Sequence, residues 1–201
     1  MKPLIIGITG GIGGGKSTLS AKLSAEGYEV FDTDVRAKAL QNEHPELISQ
    51  LKALFGDAIY NFEGLDRMAL ARIVFGNKDL LLQLNKLVHP IVREDFNHWI
   101  GQHSSEKLLF VESAIMFESG LINSVDKVIL MTASEDVRIS RVVKRDKVSP
   151  EQAKARIANQ MPDELKIPKA DYVIFSDDNM PLFDKMHDIL ESLLKLQEEQ
   201  L

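Results

Sequence analysis

Eight consecutive residues, Gly10-Gly11-Ile12-Gly13-Gly14-Gly15-Lys16-Ser17, set glycine, lysine and a hydroxyl at the spacing Gly-x-x-x-x-Gly-Lys-Ser. This is the phosphate-loop (P-loop) pattern, whose chemistry is the gripping of a nucleoside triphosphate. Glycines at Gly11, Gly13, Gly14 and Gly15 let backbone N–H groups turn inward into an anion-binding nest that bulkier residues would block. Lys16 reaches the β- and γ-phosphates, the Ser17 hydroxyl suits a Mg²⁺ ion bridging them, and Thr18 stands at the α-phosphate. ATP and Mg²⁺ are therefore the expected cofactors.

Moving a phosphoryl group onto an alcohol also needs a carboxylate that orients the hydroxyl and takes its proton. Asp32 and Asp34, which close a short apolar stretch at 28–31, are the candidates; a helix cap is the plainer use of Asp34. Glu112 ends the apolar run 108–111, the place where a P-loop protein keeps the carboxylate that holds a metal-bound water, or where an acid is simply solvated. Arg138, Arg141 and Arg145 recur at spacings of three and four, so a helix aligns them along one side. Carried on a closing lid, they would clamp nucleotide phosphates; otherwise they form an ordinary solvated face. His89, next to Pro90, reads from the residues alone as a helix-end histidine.

These groups need a scaffold. Residues 4–8 form an apolar run of strand length, and 17–25 carry Leu19 and Leu23 on one helical face, so the glycines lie between a strand and a helix. Strand-length apolar runs recur at 28–31, 108–111, 128–131 and 172–175. Helices are expected at 135–143, from Ser149 as N-cap with Pro150 at the first position, and over 181–201, where the stripe includes Leu182, Phe183, Met186 and Leu190. Between 45 and 101 the pattern is helical, punctuated by Gly56, Gly64 and Gly76, and Pro162 and Pro168 bound a connection expected to be mobile. The fold class is α/β, a P-loop kinase fold with five mostly parallel strands flanked by helices. Residues 1–201 make one domain: a nucleotide-binding core at 1–35 and 106–201, a helical substrate subdomain at 36–105, and a lid at 138–168 within the core. Ligands of such sheets bind beyond the carboxyl ends of the strands.

Composition narrows the classes. A chain of 201 residues with 44% hydrophobic and 27% charged residues is an ordinary globular protein, and no apolar run approaches the length that spans a bilayer. Zero cysteines leave no disulfide, thiolate nucleophile or zinc site, which suits a reducing cytoplasm. A net charge of −6 argues against a nucleic-acid partner, although Arg138, Arg141, Lys144, Arg145 and Lys147 cluster against the single acid Asp146.

The ordered motifs resemble the dephospho-coenzyme A kinase family over most of the chain. Residues 7–18 look like its opening strand and P-loop, and Asp32-Thr33-Asp34 like its Asp-x-Asp. Residues 67–70 leading to Val74-Phe75, and then Leu87-Val88-His89-Pro90, resemble its helical coenzyme A subdomain. Phe117-Glu118, then Arg141 with Arg145-Asp146 and residues 155–160, and finally residues 170–174, resemble a substrate motif, the lid and the last strand. The resemblance implies transfer from ATP to the ribose 3′-hydroxyl of dephospho-coenzyme A, with dephospho-coenzyme A as partner, Asp34 as base, and Arg141 and Arg145 as the transition-state clamp. Asp32, Lys38, His89 and Arg93 would lie along the substrate, and Arg138 beside the nucleotide.

Three segments depart from the family pattern. Ala114-Ile115-Met116 replace Pro-Leu-Leu, Lys38 replaces an arginine, and Phe175-Ser176-Asp177 replace Ile-Asp-Asn. Lys38 keeps the charge but lacks the planar fork of arginine. The alternative is another P-loop kinase of small molecules or nucleoside monophosphates. A guanine-nucleotide switch is disfavoured because Asn77-Lys78-Asp79-Leu80 is out of register with Asn-Lys-x-Asp, and an inactive module because Lys16, Ser17 and Asp34 are intact. Oligomeric state is left open.

Overall fold

The structure, a computed structural model, describes residues 2–74, 76–177 and 182–199. Of the residues read above, Phe75, Pro181, Leu201 and the Phe183 side chain lie outside that description. The elements run β1 (Leu4–Thr9), α1 (Lys16–Ala25), β2 (Glu29–Asp32), α2 (Thr33–Glu43), α3 (Pro45–Phe55), β3 (Tyr60–Asn61), β4 (Gly64–Leu65), α4 (Arg67–Val74) and α5 (Lys78–Gln102). They continue as β5 (Leu108–Glu112), β6 (Lys127–Thr132), α6 (Glu135–Asp146), α7 (Pro150–Ala158), α8 (Asp163–Lys166), β7 (Tyr172–Phe175) and α9 (Leu182–Glu199). They pack as two units, residues 1–32 with 102–201, and residues 33–101.

In the first unit, five parallel strands stand in the order β2-β5-β1-β6-β7. Helices cover parallel sheets on both faces, so the strands become continuous apolar runs rather than alternating ones. All six residues of β1 are buried, as are Leu108 to Val111 in β5. Leu19 and Leu23 of α1 and Met186, Leu190 and Leu193 of α9 join Ile6, Ile8, Phe110, Ile129 and Met131 in one core. Phe110 is fully buried and meets Tyr28 edge-on, ring centroids 5.5 Å apart, so truncating it to alanine costs about 3–5 kcal/mol. A smaller cluster, Ile139, Val142 and Ala153 with Ile12, Val143, Val148 and Ile157 against it, joins α6 and α7 to the P-loop tip.

The second unit is mainly helical, with Leu47, Leu51, Ile59, Leu70, Val92 and Phe96 buried. His44 caps α3 by accepting from the Leu47 N–H at Nδ1, 3.2 Å, with Pro45 at the first helical position. Arg36 grips Asp95 with two parallel hydrogen bonds of 2.7 and 2.8 Å, tying α2 to α5.

Two local expectations are corrected, and a third segment gains detail. The 45–101 stretch is not wholly helical: β3 and β4 form an antiparallel hairpin whose two-residue strands are too short to show a period. Helix α5 passes unbroken through Pro90, so His89 sits mid-helix rather than at a helix end; the proline costs one N–H but the other bonds of a 25-residue helix hold. The connection between Pro162 and Pro168 holds α8 and a single 3-10 turn, Ile167–Lys169.

Candidate active site

The P-loop joins β1 to α1, and its shape is enforced by backbone contacts. Gly10 has φ 144°, and a Cβ there would run into the Met131 carbonyl oxygen at the end of β6. Gly15, at φ 101°, turns the chain into α1. The Gly14 N–H donates to the Gly11 carbonyl at 3.0 Å, closing the turn. Lys16 folds over the loop, its Nζ donating to the Gly10 carbonyl at 2.8 Å and to that of Gly11 at 3.4 Å. Ser17 and Thr18 are exposed in the first turn of α1, where the helix dipole favours anions. The cradle excludes side chains and presents a cation and hydroxyls, so it fits a nucleoside triphosphate.

Helix α6 bears on this loop through two arginines. Arg138 is buried; its Nε donates to the Ile12 carbonyl at 3.1 Å and its Nη1 pairs with Asp163 at 3.0 Å. Asp163 also accepts from the Thr132 hydroxyl at 2.5 Å. The guanidinium fills the space that a side chain on Gly11 would need. Arg141 donates to the Gly13 carbonyl at 3.1 Å and to Oγ and O of Ser176 at 2.7 and 3.0 Å. Arg145, one turn further, is exposed and holds Asp146, which also binds Arg156 at 2.8 Å. The Arg145 hydrogen bond, ahead of the charges around it, keeps the Asp146 pKa below the usual carboxylate value. The basic cluster of the sequence is therefore graded, from a buried end on the P-loop to an exposed end at Arg145.

The acids lie along the carboxyl ends of the strands. Glu112 is the Cα partner of Ile8 on β1 and of Asp32 on β2, and the Ser113 N–H donates to the Ile8 carbonyl at 3.0 Å. Both acids are partly buried. Among the described residues no group of three or more His, Asp or Glu forms a metal cage. That suits Mg²⁺, which is commonly held by one or two protein groups together with phosphate oxygens and water. Ser17 and Glu112 carry oxygens of the kind that Mg²⁺ takes.

In the second unit, Asp34 is the second residue of α2 rather than its cap, and is exposed. Lys38, also exposed on α2, offers its carbonyl to Asn42 and Arg67. His89 is half-buried, and burial first, then the Arg93 charge one turn on, hold its pKa below the ordinary histidine value; at neutral pH it is a neutral imidazole. Arg93 is exposed.

The dephospho-CoA kinase family model matches residues 4–181. The dephospho-CoA kinase of Chlorobaculum tepidum is 39% identical over 204 residues, covering 98% of each chain. Two solved structures are also similar. TT1252 from Thermus thermophilus is 36% identical with a TM-score of 0.82, over 97% of this chain and 98% of that one. The dephospho-CoA kinase from Campylobacter jejuni is 28% identical with a TM-score of 0.67, over 98% of both chains.

The chain belongs to the dephospho-CoA kinase family. Its five parallel strands with the P-loop after β1 are the P-loop kinase fold of that family. Two contacts of this dephospho-CoA kinase family chain had no sequence signal of their own, although Gln160 lies in the lid-like stretch 155–160. Gln160 follows α7 and accepts the Ile12 N–H at 2.7 Å, across 148 residues of sequence, and Asp163 holds Arg138. Neither belongs to a spacing pattern, because their roles arise only when α6, α7 and α8 close on the loop. Among the described residues no helix is long and apolar enough to cross a membrane.

Proposed function

We propose that this chain transfers the γ-phosphoryl group of ATP to the ribose 3′-hydroxyl of dephospho-CoA, releasing CoA and ADP in the last step of CoA synthesis. The single observation that carries this is a formed P-loop cradle in a chain that matches the dephospho-CoA kinase family from residue 4 to residue 181.

The protein's part is positioning and electrostatics rather than covalent chemistry. The backbone at Gly11, Gly13, Gly14 and Gly15 and the Lys16 ammonium hold the triphosphate, with Thr18 at its α-phosphate and Arg138 behind the loop. Asp34 orients the acceptor hydroxyl and takes its proton, and Asp32 supports it. Arg141 and Arg145 meet the charge that develops on the transferred group. Lys38, His89 and Arg93 line the acceptor side, where a neutral His89 can donate or accept a hydrogen bond without repelling Arg93. Ser17 and Glu112 would hold Mg²⁺, which when bound neutralises phosphate charge. Net charge and the lack of cysteine support a cytoplasmic enzyme of small-molecule substrates, without nucleic acid or membrane as partner.

The purified protein with ATP, Mg²⁺ and dephospho-CoA is expected to release ADP in a coupled assay, at a rate dependent on dephospho-CoA. ADP release that responds only to nucleoside monophosphates rejects the proposal.

A further inference from the structure

Ile12, at the tip of the P-loop, is held at every group it has. Its carbonyl accepts from Arg138 Nε at 3.1 Å, its N–H donates to Gln160 Oε1 at 2.7 Å, and its side chain packs on the cluster of Ile139, Val142 and Ala153. The next peptide is held as well, by Arg141 on the Gly13 carbonyl at 3.1 Å. None of these holders comes from the strand or helix that the loop connects; they come from α6, from α7 and from the turn between α7 and α8.

The holders are themselves fixed. Asp163, three residues after Gln160, is buried, pairs with Arg138 at 3.0 Å and takes the Thr132 hydroxyl at 2.5 Å, so the guanidinium is braced against the end of β6. Lys166, fully buried, stands 3.7 Å from the other Asp163 oxygen. A buried pair with this much hydrogen bonding holds a geometry, because either charge left alone would be costly. A glycine-rich loop, by contrast, has many accessible conformations and must lose them when it wraps a triphosphate.

We propose that Gln160 is a positioning residue for nucleotide binding: with Arg138, braced by Asp163, it clamps Ile12 at both its N–H and its carbonyl and so preorganises the P-loop for the triphosphate. Binding to a preorganised loop avoids the ordering cost that a free loop would incur. The clamp also couples the α7–α8 turn to nucleotide affinity. The inference extends the reading of the P-loop as an ATP site and is independent of the acceptor.

The test uses the non-hydrolysable analogue AMP-PNP with Mg²⁺ and no acceptor, so a wrong acceptor assignment does not affect it. Gln160→Met keeps size and removes the acceptor oxygen. It is expected to weaken AMP-PNP binding about five- to tenfold by calorimetry, the worth of a hydrogen bond and the order it imposes. The Tm should stay within about 2 °C and kcat at saturating ATP within about twofold, while the Ile12 amide exchanges with solvent at least about tenfold faster. Gln160→Glu, which keeps an acceptor oxygen, should leave that amide slow. Unchanged AMP-PNP affinity in Gln160→Met overturns the proposal, and so does a loss that tracks a fall in Tm. If Gln160→Met fails to fold, fast Ile12 exchange in the wild type or in Gln160→Glu overturns it equally.

Discussion

Asp32 and Glu112 are Cα partners at the carboxyl ends of β2 and β5, and Glu112 is at once the partner of Ile8 on β1. Two carboxylates thus share one sheet edge with the strand that leads into the P-loop. The juxtaposition follows from the strand order β2-β5-β1, which brings elements about 80 residues apart in sequence side by side.

If Glu112 supports Mg²⁺, Glu112→Gln removes a charge without changing shape. The Mg²⁺ concentration for half-maximal activity should rise about tenfold, within the range seen when groups supporting a metal are altered. Binding of metal-free ATP should be unchanged. A Mg²⁺ titration at fixed ATP reads both, and an unshifted midpoint removes Glu112 from the metal site.

Asp34 is exposed in the first turn of α2, where its side chain contributes little to packing. Asp34→Asn should therefore fold normally and bind ATP, yet turn over about 10²-fold or more slowly, as for a lost base. Steady-state kinetics alongside ATP calorimetry separates the two effects. Full turnover in the variant would show that the proton leaves by another route.

The glycines of the loop differ from those of ordinary turns in what surrounds them. Gly10→Ala must place its Cβ against the backbone carbonyl of Met131, which has no side-chain freedom to move aside. It should cost about 3 kcal/mol or more in urea unfolding. Gly27 also has positive φ, 89°, but nothing lies within 4 Å, so Gly27→Ala should cost only about 1–2 kcal/mol. Equal costs would mean that the loop yields.

Asp146, at the end of α6, pairs with its neighbour Arg145 and joins α6 to α7 through Arg156. Its pKa is lowered in the folded state, chiefly by the Arg145 hydrogen bond, so its contribution is present above the unfolded carboxylate pKa and is lost as pH falls through the lowered value. At pH 7 Asp146→Asn should destabilise by about 0.5–1 kcal/mol, given solvent screening. As pH falls through that lowered value the gap between wild type and variant should close. Thermal unfolding over that pH range checks it, and a gap that persists at low pH would assign the loss to packing.

Much of the scaffold was legible because its cause is local. The runs 108–111 and 128–131 are apolar throughout because β5 and β6 are covered on both faces, and the P-loop is spelled by spacing alone. The hairpin of β3 and β4 was hidden by its brevity, whereas the stretch around Pro90 read as helical and only the place of His89 within it, mid-helix rather than at an end, was missed. Spacing aligned Arg138, Arg141 and Arg145, but not the gradient from buried to exposed, which depends on Asp163, Ser176 and the carbonyls of Ile12 and Gly13. Gln160 is the extreme case: its partner is a backbone N–H far away in sequence, and a backbone group has no residue type to read.

The most direct test of the function is the identity of the phosphorylated atom. With ATP, Mg²⁺ and dephospho-CoA, ³¹P NMR of the product should show one new phosphomonoester on the ribose 3′-oxygen, formed in step with ADP. A phosphate elsewhere on the molecule, or ADP released with dephospho-CoA unchanged, would contradict the account.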